Sequence, residues 1–196
     1  MSLKGQRTTT TSLDWDQFRS LVAKLERDGN NKYCLLVAIG VFTGLRISDL
    51  LQLKFSDFEN TDILTIQEKK TGKTRRIKIN NDLKVLVSRL KEKMQPKDSN
   101  KLIFLNRYGT KTIGTSWINV SLKQIFKKYD IHNEGNISSH MFRKTLGNRV
   151  LRLNNYSNES IIKLMELFNH SSPSITRRYL GLREQEILDV YDSLKL

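Results

Sequence analysis

Hydrophobic residues recur with helical spacing over most of the chain. Four segments, DLKVLVSRLKEKM, SWINVSLKQIFKKY, SHMFRKTLGNRVLRL and ESIIKLMELF, carry apolar residues three and four positions apart, which predicts amphipathic helices. An earlier helix is expected from a cap at Ser12 to about Asp28, and another is expected to start at LRISDLLQL. Residues 31–42 are apolar nearly all round, so this segment predicts a buried central helix that ends at Thr43-Gly44.

Residues 55–79 follow a different pattern. The run ILTIQEKKTGKTRRIKI places two β-rich segments on either side of a Thr-Gly turn, which predicts a β-hairpin. A short strand at 55–58 is expected to add a third. The fold class is therefore predicted to be mainly α with a small antiparallel three-stranded β-sheet.

Length and composition favour one compact unit. The chain has 196 residues, of which 38% are hydrophobic and only two are prolines, so it can bury a sizeable single core. The opening MSLKGQRTTTTS has no apolar periodicity. Residues 1–11 are therefore expected to be a linker or an expression remnant, and 12–196 the folded domain.

The net charge narrows the class of partner. A formal charge of +14 at pH 7 favours a polyanion, and nucleic acid is the leading candidate. Membrane insertion is not expected, because the longest apolar run, CLLVAIGVF, is about half the length that crosses a bilayer. The single cysteine, Cys34, lies in that run and cannot form an internal disulfide. No signal peptide is visible, so a cytoplasmic location is expected.

Several kinds of catalytic chemistry lack the residues they need. The three histidines, His132, His140 and His170, show no spacing typical of a zinc site. There is no Gly-rich phosphate loop, and the acidic residues are too scattered for a two-metal nuclease. We therefore expect neither a metal ion nor another cofactor.

Cationic residues occur in combinations that suit a phosphate. Arg46 and Asp49 are three apart in a predicted helix, where the carboxylate could orient the guanidinium or form only an intrahelical ion pair. His140 and Arg143 repeat this spacing at a helix start, and the alternative there is a basic surface patch. The hairpin carries six cations in ten residues, which predicts a DNA-backbone contact or a solvated tip: Lys69, Lys70, Lys73, Arg75, Arg76 and Lys78.

The segment LFNHSSPSITRRYLG, residues 167–181, adds a tyrosine to these cations. Ser172 can cap a short helix that has Pro173 in its first position and Gly181 after its end. This helix would present Tyr179, unless the tyrosine is simply packed, together with two neighbouring cations that could contact DNA: Arg177 and Arg178. Guanidinium groups on phosphate oxygens and an attacking tyrosine hydroxyl would allow phosphoryl transfer without a metal.

Four motifs follow one another along the chain: GLRISDLL, the hairpin KKTGK, HMFRKT and LFNHSSPSITRRYLG. In the last two, a His-x-x-Arg is followed by a histidine and then by a tyrosine nine residues later. This order and spacing resemble the catalytic domain of the tyrosine recombinases, also called phage integrases, and in particular the integrases of mobile elements. The resemblance runs from about Leu13 to the C-terminus.

The resemblance implies a role for each catalytic residue. Arg46 and Arg143 would bind the scissile phosphate, and His170 would donate a hydrogen bond to it. Tyr179 would attack the phosphate to form a 3′-phosphotyrosyl link, with His140 assisting proton transfer from the hydroxyl. A 5′-hydroxyl from a partner strand would then reseal the DNA, which implies site-specific integration or excision of a mobile element without ATP or metal.

The resemblance also concerns three further positions, two of which depart from the family pattern. The resemblance makes Lys70 the general acid for the leaving 5′-oxygen, although Lys69 and Lys73 lie in the same turn. Asp49 matches the acidic position that supports the first arginine, but it is shorter than the usual glutamate. Asn169 stands where the family usually has glycine. Neither difference removes a reactive group.

The resemblance also implies partners. Double-stranded DNA is the expected ligand, on which the chain would form a tetramer through its C-terminal tail, EQEILDVYDSLKL; a monomer is expected without DNA. The alternative is that the tail folds back on its own domain. Full-length recombinases carry an N-terminal core-binding domain that is expected to be missing here. A type IB topoisomerase and a non-catalytic DNA-binding regulator are the alternative functions.

Overall fold

The computed structural model describes residues 10–133 and 135–182, together with Tyr191, Ser193 and Leu194. The described part is mainly helical. Its elements are α1 (Trp15–Arg27), α2 (Asn31–Thr43), α3 (Ile47–Leu50), β1 (Ile63–Gln67), β2 (Thr74–Lys78), α4 (Asn81–Met94), α5 (Thr115–Lys128), α6 (His140–Leu153), α7 (Asn158–Phe168) and α8 (Pro173–Leu180). The four amphipathic segments form α4, α5, α6 and α7, so these four predictions are confirmed.

Helix α2 forms the centre of the domain. It packs against α1, α4 and α6, and its side chains from Cys34 to Ile39 are at most 1% exposed. A helix that is apolar on every face can satisfy those faces only when other elements surround it. The prediction of a buried helix is confirmed, and it ends where Gly44 adopts the left-handed conformation with a φ of +58°. Burial raises the pKa of Cys34 to about 12, which leaves an unreactive thiol.

Helix α1 begins later than predicted, because Asp14 and not Ser12 is its cap. Asp14 Oδ1 accepts a hydrogen bond from Gln17 N at 2.7 Å, and Asp14 N donates to Gln17 Oε1 at 3.1 Å. This reciprocal capping box satisfies two backbone groups at once. Ser12 Oγ instead accepts from Asn148 Nδ2 at 2.9 Å, which ties the start of the domain to α6.

The sheet of the described residues has two strands, and the predicted third strand is wrong. Strands β1 and β2 pair antiparallel, with Ile63 opposite Lys78, as the Thr-Gly turn predicted. Phe55–Phe58 instead forms a 3-10 helix. Both phenylalanines are buried. Residues three apart share one face of a 3-10 helix but point to opposite faces of a strand, so burying both rings selects the helix.

The helix expected at LRISDLLQL is only one turn long, α3. Arg46 caps this turn with an extended backbone, at φ −67° and ψ 148°, so it lies outside the helix. The prediction that Arg46 and Asp49 share one helical face is therefore wrong. No helix among the described residues is both long and apolar enough to span a bilayer.

A second, smaller core holds α6, α7 and α8 together, and its buried members are Leu151, Ile161, Leu164, Phe168 and Leu180. Leu180 lies directly against Gly147, where an added Cβ would be 2.5 Å from Leu180 Cδ2. The predicted features of α8 are confirmed: the Ser172 hydroxyl caps it, Pro173 begins it and Gly181 ends it with a φ of +83°. This cluster fixes α8 beside the first turns of α6.

The ends of the chain are only partly described. Thr10 bridges Asn136, and Thr11 N donates to Asn136 O at 3.1 Å, so these two residues of the expected linker contact the domain. The expectation for residues 1–9 lies outside the described residues. Most of the tail EQEILDVYDSLKL also lies outside them, so its predicted docking stays a prediction.

Candidate active site

The side chains predicted to be catalytic line one open cleft of about 480 Å³. Four parts of the chain surround it: the turn between α2 and α3, the hairpin, the start of α6, and α8 with the turn before it. The cleft brings together all six of these residues: Arg46, Lys70, His140, Arg143, His170 and Tyr179. Residues up to 133 positions apart in the sequence, Arg46 and Tyr179, therefore face the same space.

Arg143 is the most deeply placed of the cations in the cleft. It is 5% exposed, and its guanidinium donates to Gly44 O at 3.0 Å and to Phe168 O at 2.9 Å. The guanidinium also lies 4.6 Å over the centre of the Phe168 ring. Burial lowers the pKa of Arg143 to about 10, so the group remains protonated at neutral pH. The cleft therefore contains a fixed positive charge.

The side chain of Arg46 extends to the same acceptor as that of Arg143, the main-chain oxygen of Phe168. Its Nη2 donates to Phe168 O at 3.4 Å, and its Nη1 donates to Glu68 Oε2 at 2.8 Å. Asp49, predicted to hold this arginine, does not bind it. Asp49 Oδ1 instead accepts from Lys69 N at 2.9 Å, because the single turn of α3 directs this carboxylate toward the hairpin.

Glu68 is the site residue that sequence reasoning missed. It is 3% exposed, and its carboxylate accepts hydrogen bonds from Arg46 and from Thr71 Oγ1, the latter at 2.9 Å. Burial opposes ionisation, but hydrogen bonds from Thr71 and Arg46 outweigh it and lower the pKa of Glu68. The signal was the alternation along β1: Leu64, Ile66 and Glu68 point to the same face, so an inward carboxylate needed cationic partners.

Lys70 is the hairpin lysine that lines the cleft. Its neighbours in the turn, Lys69 and Lys73, are exposed and do not belong to the described lining of the cleft. The left-handed Gly72, with a φ of +68°, closes the turn by donating its N–H to Glu68 O at 2.8 Å. Among these three lysines, the geometry therefore favours Lys70 as the one that can reach a phosphate in the cleft.

Tyr179 is half-buried on α8. Its hydroxyl donates to His140 O at 3.2 Å, and its ring lies 5.6 Å from that of Phe168 and 5.3 Å from that of His170. Burial raises the pKa of Tyr179, while the charge of Arg143 opposes this effect. The resting tyrosine is therefore a neutral phenol, held by the main chain of α6.

The two cleft histidines differ in exposure. His140 keeps an exposed edge, whereas His170 is half-buried with Nδ1 3.1 Å from Thr176 Oγ1. Partial burial, followed by the charge of Arg143, lowers the pKa of both imidazoles. Both rings are consequently neutral at pH 7 and can each donate from one nitrogen and accept at the other.

Comparison with known proteins identifies the family. The model of the phage integrase family matches residues 11–186. The chain belongs to the phage integrase family. It is also 31% identical over 162 residues to the probable integrase/recombinase YoeC of Bacillus subtilis strain 168, which covers 83% of this chain and 84% of that protein. The prediction of a tyrosine-type site-specific recombinase domain is confirmed.

Other integrase-family relatives are longer than this chain. A tyrosine recombinase of Agathobacter rectalis is 28% identical over 154 residues, which are 76% of this chain and 47% of that one. The crystal structure of XerA recombinase superposes with a TM-score of 0.70 at 21% identity, over 97% of this chain and 68% of that one. The XerH recombinase superposes with a TM-score of 0.67 over 94% of this chain and 54% of that one. The mainly α fold with a small antiparallel sheet is therefore that of the integrase family.

Apart from Lys70 in the cleft, the cations predicted to contact DNA are not equivalent on this integrase domain. Arg75 points inward: its side chain is 16% exposed, its Nη2 donates to Thr43 O at 2.9 Å, and its Nη1 lies 3.7 Å from Glu68 Oε1. Arg75 is therefore not part of an exposed phosphate stripe, because alternation along β2 turns it toward the core. Arg177 is half-buried and bonds Asn158 Oδ1 at 2.7 Å. The others are exposed: Lys69, Lys73, Arg76, Lys78 and Arg178.

The described side chains of the integrase domain do not form a metal-binding cluster. Within residues 10–133 and 135–182, no group of three or more His, Cys, Asp or Glu side chains is placed to hold a metal ion. The groups that face the cleft are cations, imidazoles and a phenol, which are suited to binding and attacking a phosphate.

Proposed function

We propose that this chain cleaves and rejoins double-stranded DNA by transesterification at Tyr179. The observation that carries this proposal is the shared cleft, in which two guanidiniums meet at Phe168 O beside a tyrosine hydroxyl and a lysine. Tyr179 Oη attacks the scissile phosphorus, a P–O bond to Tyr179 forms, and the bond from phosphorus to the 5′-oxygen breaks. The products are a 3′-phosphotyrosyl link and a strand with a free 5′-hydroxyl.

Arg46, Arg143 and His170 bind the non-bridging phosphate oxygens. Hydrogen bonds hold the charged guanidinium of Arg143 in a buried position. Little reorganisation energy is therefore needed when negative charge develops in the transition state. The contact between Thr176 and His170 Nδ1 leaves Nε2 to donate to a phosphate oxygen when the ring carries its proton there.

Two proton transfers complete the step. Lys70 protonates the leaving 5′-oxygen, for which its position on the cleft wall is suited. The tyrosine proton passes to His140, whose lowered pKa supplies a neutral imidazole at pH 7. Because the hydroxyl of Tyr179 donates to His140 O in this structure, it has to leave that bond before attack.

The reverse reaction rejoins DNA. A 5′-hydroxyl from a partner strand attacks the phosphotyrosyl phosphorus, the bond to Tyr179 breaks, and the tyrosine recovers its proton. The phosphotyrosyl bond retains the energy of the cleaved phosphodiester, so cleavage and rejoining consume no ATP and involve no change of oxidation state. Exchange between two DNA sites would integrate or excise a mobile element.

Double-stranded DNA is the proposed partner. XerH is described with its difH substrate, lambda integrase as a dimer on a core site, and the Tn1549 transposon integrase with transposon end DNA. The exposed Lys69, Lys73, Arg76 and Arg178 of this chain supply positive charge near the cleft for phosphate contacts. Tetramer assembly through the C-terminal tail, a monomeric state without DNA and a cytoplasmic location stay predictions.

The chain spans about half the length of several relatives, such as the Agathobacter recombinase and XerH. The experiment therefore uses both this chain and the product of its whole open reading frame. Both proteins are incubated in EDTA with nicked duplexes whose sequences are those of the DNA that flanks the gene of this chain. A denaturing gel then detects covalent adducts. A band that forms with wild type and disappears in Tyr179→Phe is expected. Relaxation of supercoils without recombinant product would indicate a topoisomerase, and no adduct with either protein would favour a non-catalytic DNA-binding protein.

A further inference from the structure

We propose that Glu68 is a positioning residue that holds the Arg46 guanidinium and the Lys70-bearing turn in one arrangement, with Thr71 as its link to the turn. The inference rests on the proposed function and deepens it. Glu68 lies outside the four motifs that indicated the family, one residue before KKTGK.

A single carboxylate oxygen makes the connection. Glu68 Oε2 accepts from Arg46 Nη1 at 2.8 Å and from Thr71 Oγ1 at 2.9 Å. Thr71 follows Lys70 directly in the chain. The phosphate-binding arginine and the turn that carries the proposed general acid therefore share one acceptor atom, and a shift of either group disturbs the other.

The backbone around Lys70 is fastened on both sides by buried carboxylates. Before it, Lys69 N donates to Asp49 Oδ1 at 2.9 Å. After it, the Thr71 hydroxyl donates to Glu68. Asp49 and Glu68 are 4% and 3% exposed. The Lys70 side chain is itself exposed, so its reach into the cleft is set by these two anchors of its backbone.

The charges explain why a carboxylate occupies this position. On the same face of β1, Leu64 and Ile66 fill their places with apolar side chains, which would suffice if the only requirement were to pack the hairpin. Glu68 instead lies between two guanidiniums, since Arg75 Nη1 is 3.7 Å from its other oxygen. This anion orients Arg46 and offsets part of the repulsion between the two cations.

The test separates a misplaced general acid from a damaged fold. Two suicide duplexes are identical except that the scissile phosphate carries either the normal 5′-oxygen or a bridging 5′-sulfur. A 5′-thiolate leaves without a proton, so a variant whose only defect lies in Lys70 should cleave the sulfur substrate normally. Lys70→Ala is the reference variant for this behaviour. Arg46→Lys, which weakens phosphate binding, should be slow on both substrates.

Thr71→Val removes the hydroxyl that links the turn to Glu68, and with it a longer contact in which Lys73 N donates to Thr71 Oγ1 at 3.4 Å. We expect it to cleave the oxygen substrate roughly tenfold more slowly than wild type, and the sulfur substrate within about threefold of wild type. Thr71→Ser keeps the hydroxyl and should resemble wild type on both. Glu68→Gln should be slow on both and only partly restored by sulfur, because it also loosens Arg46. Glu59→Gln, which alters an exposed carboxylate paired with Lys91 at 2.6 Å, is the matched control.

Equal slowing of Thr71→Val on both substrates, or no slowing on either, would overturn the inference and leave Glu68 a structural residue. Thermal melting of each variant establishes that it is folded, and Thr71→Ala replaces Thr71→Val if the latter is not. If wild type forms no Tyr179-dependent adduct on either substrate, the proposed function itself fails and the inference falls with it.

Discussion

Arg46 and Arg143 donate hydrogen bonds to the same main-chain oxygen, that of Phe168, over 3.4 and 2.9 Å. Phe168 is the last residue of α7, where carbonyl groups lack helical partners and the helix dipole attracts cations. The two guanidiniums therefore supply hydrogen-bond donors to the end of α7, and this shared acceptor holds them close together. In the proposed reaction, this arrangement would already exist before a phosphate binds, which is the condition for strong electrostatic stabilisation of a transition state.

Replacement of Arg143 tests this shared contact. Lysine keeps the charge but has one nitrogen, which cannot occupy the positions of both Nη1 at Gly44 O and Nη2 at Phe168 O, so Arg143→Lys should reduce the rate of adduct formation by roughly 100-fold. The rate is measured with saturating protein on the oxygen suicide substrate. Arg149→Lys is the control, because Arg149 stacks over Trp15 at 4.8 Å and does not line the cleft. A loss of less than fivefold in Arg143→Lys would contradict the proposed role.

The neighbours Arg75 and Arg76 should behave in opposite ways. Arg75 is half-buried, with its guanidinium against Glu68 and Thr43 O, so Arg75→Ala should lower the free energy of unfolding by about 2 kcal/mol. Arg76 is exposed, so Arg76→Ala should leave stability unchanged but weaken DNA binding, with the salt dependence reduced by about one phosphate contact.

Urea denaturation and binding isotherms at several salt concentrations measure the two effects of the Arg75 and Arg76 variants. If Arg76→Ala destabilised the protein more than Arg75→Ala, the assignment of their faces on β2 would be wrong.

The pKa of His170 predicts how stability depends on pH. Its pKa lies below the ordinary value of 6.5 because of burial and the charges of Arg143 and Arg46. Below pH 6.5, His170 therefore binds a proton in the unfolded chain but not in the folded chain. The free energy of unfolding decreases as the pH falls from 6.5 toward the folded-state pKa of His170. The melting temperature should decrease from pH 7.5 to pH 5.5, and less so in His170→Asn. The same decrease in both proteins would show that other groups are responsible.

The contact between α2 and α6 leaves no room for a side chain at Gly40. An added Cβ would lie 2.5 Å from Phe142 Cδ2 and 3.1 Å from its Cβ, so the whole phenylalanine would have to move. Gly40→Ala should lower the free energy of unfolding by between about 1 and 3 kcal/mol despite the better helix propensity of alanine. Chemical denaturation measures it, with Gly114→Ala as control, since no heavy atom lies within 4 Å of a Cβ there. Stabilisation by Gly40→Ala would show that the helices can separate without cost.

Local chemistry in the sequence determined most of the elements. The apolar periodicity of α4 to α7, the apolar surface of α2 and the Thr-Gly turn of the hairpin each depend on residues close in the chain. Helix α8, which carries Tyr179, could be predicted in the same way, since Ser172, Pro173 and Gly181 set its two ends through their own backbone preferences. The four motifs were specific enough to indicate the family and all six cleft residues.

Tertiary structure decided the partners of the charged groups. The spacing of Arg46 and Asp49 suggested an ion pair, but the single turn of α3 sends Asp49 to the backbone of Lys69 and leaves Arg46 to Glu68, 22 residues away. The same packing made Arg75, a candidate DNA contact, a half-buried partner of Glu68, and it made Phe55–Phe58 a 3-10 helix. Hydrophobic periodicity depends on residues that are close in the chain, so the sequence shows it directly. The partner of a charged side chain depends on which elements pack together, and only the folded chain determines which elements those are.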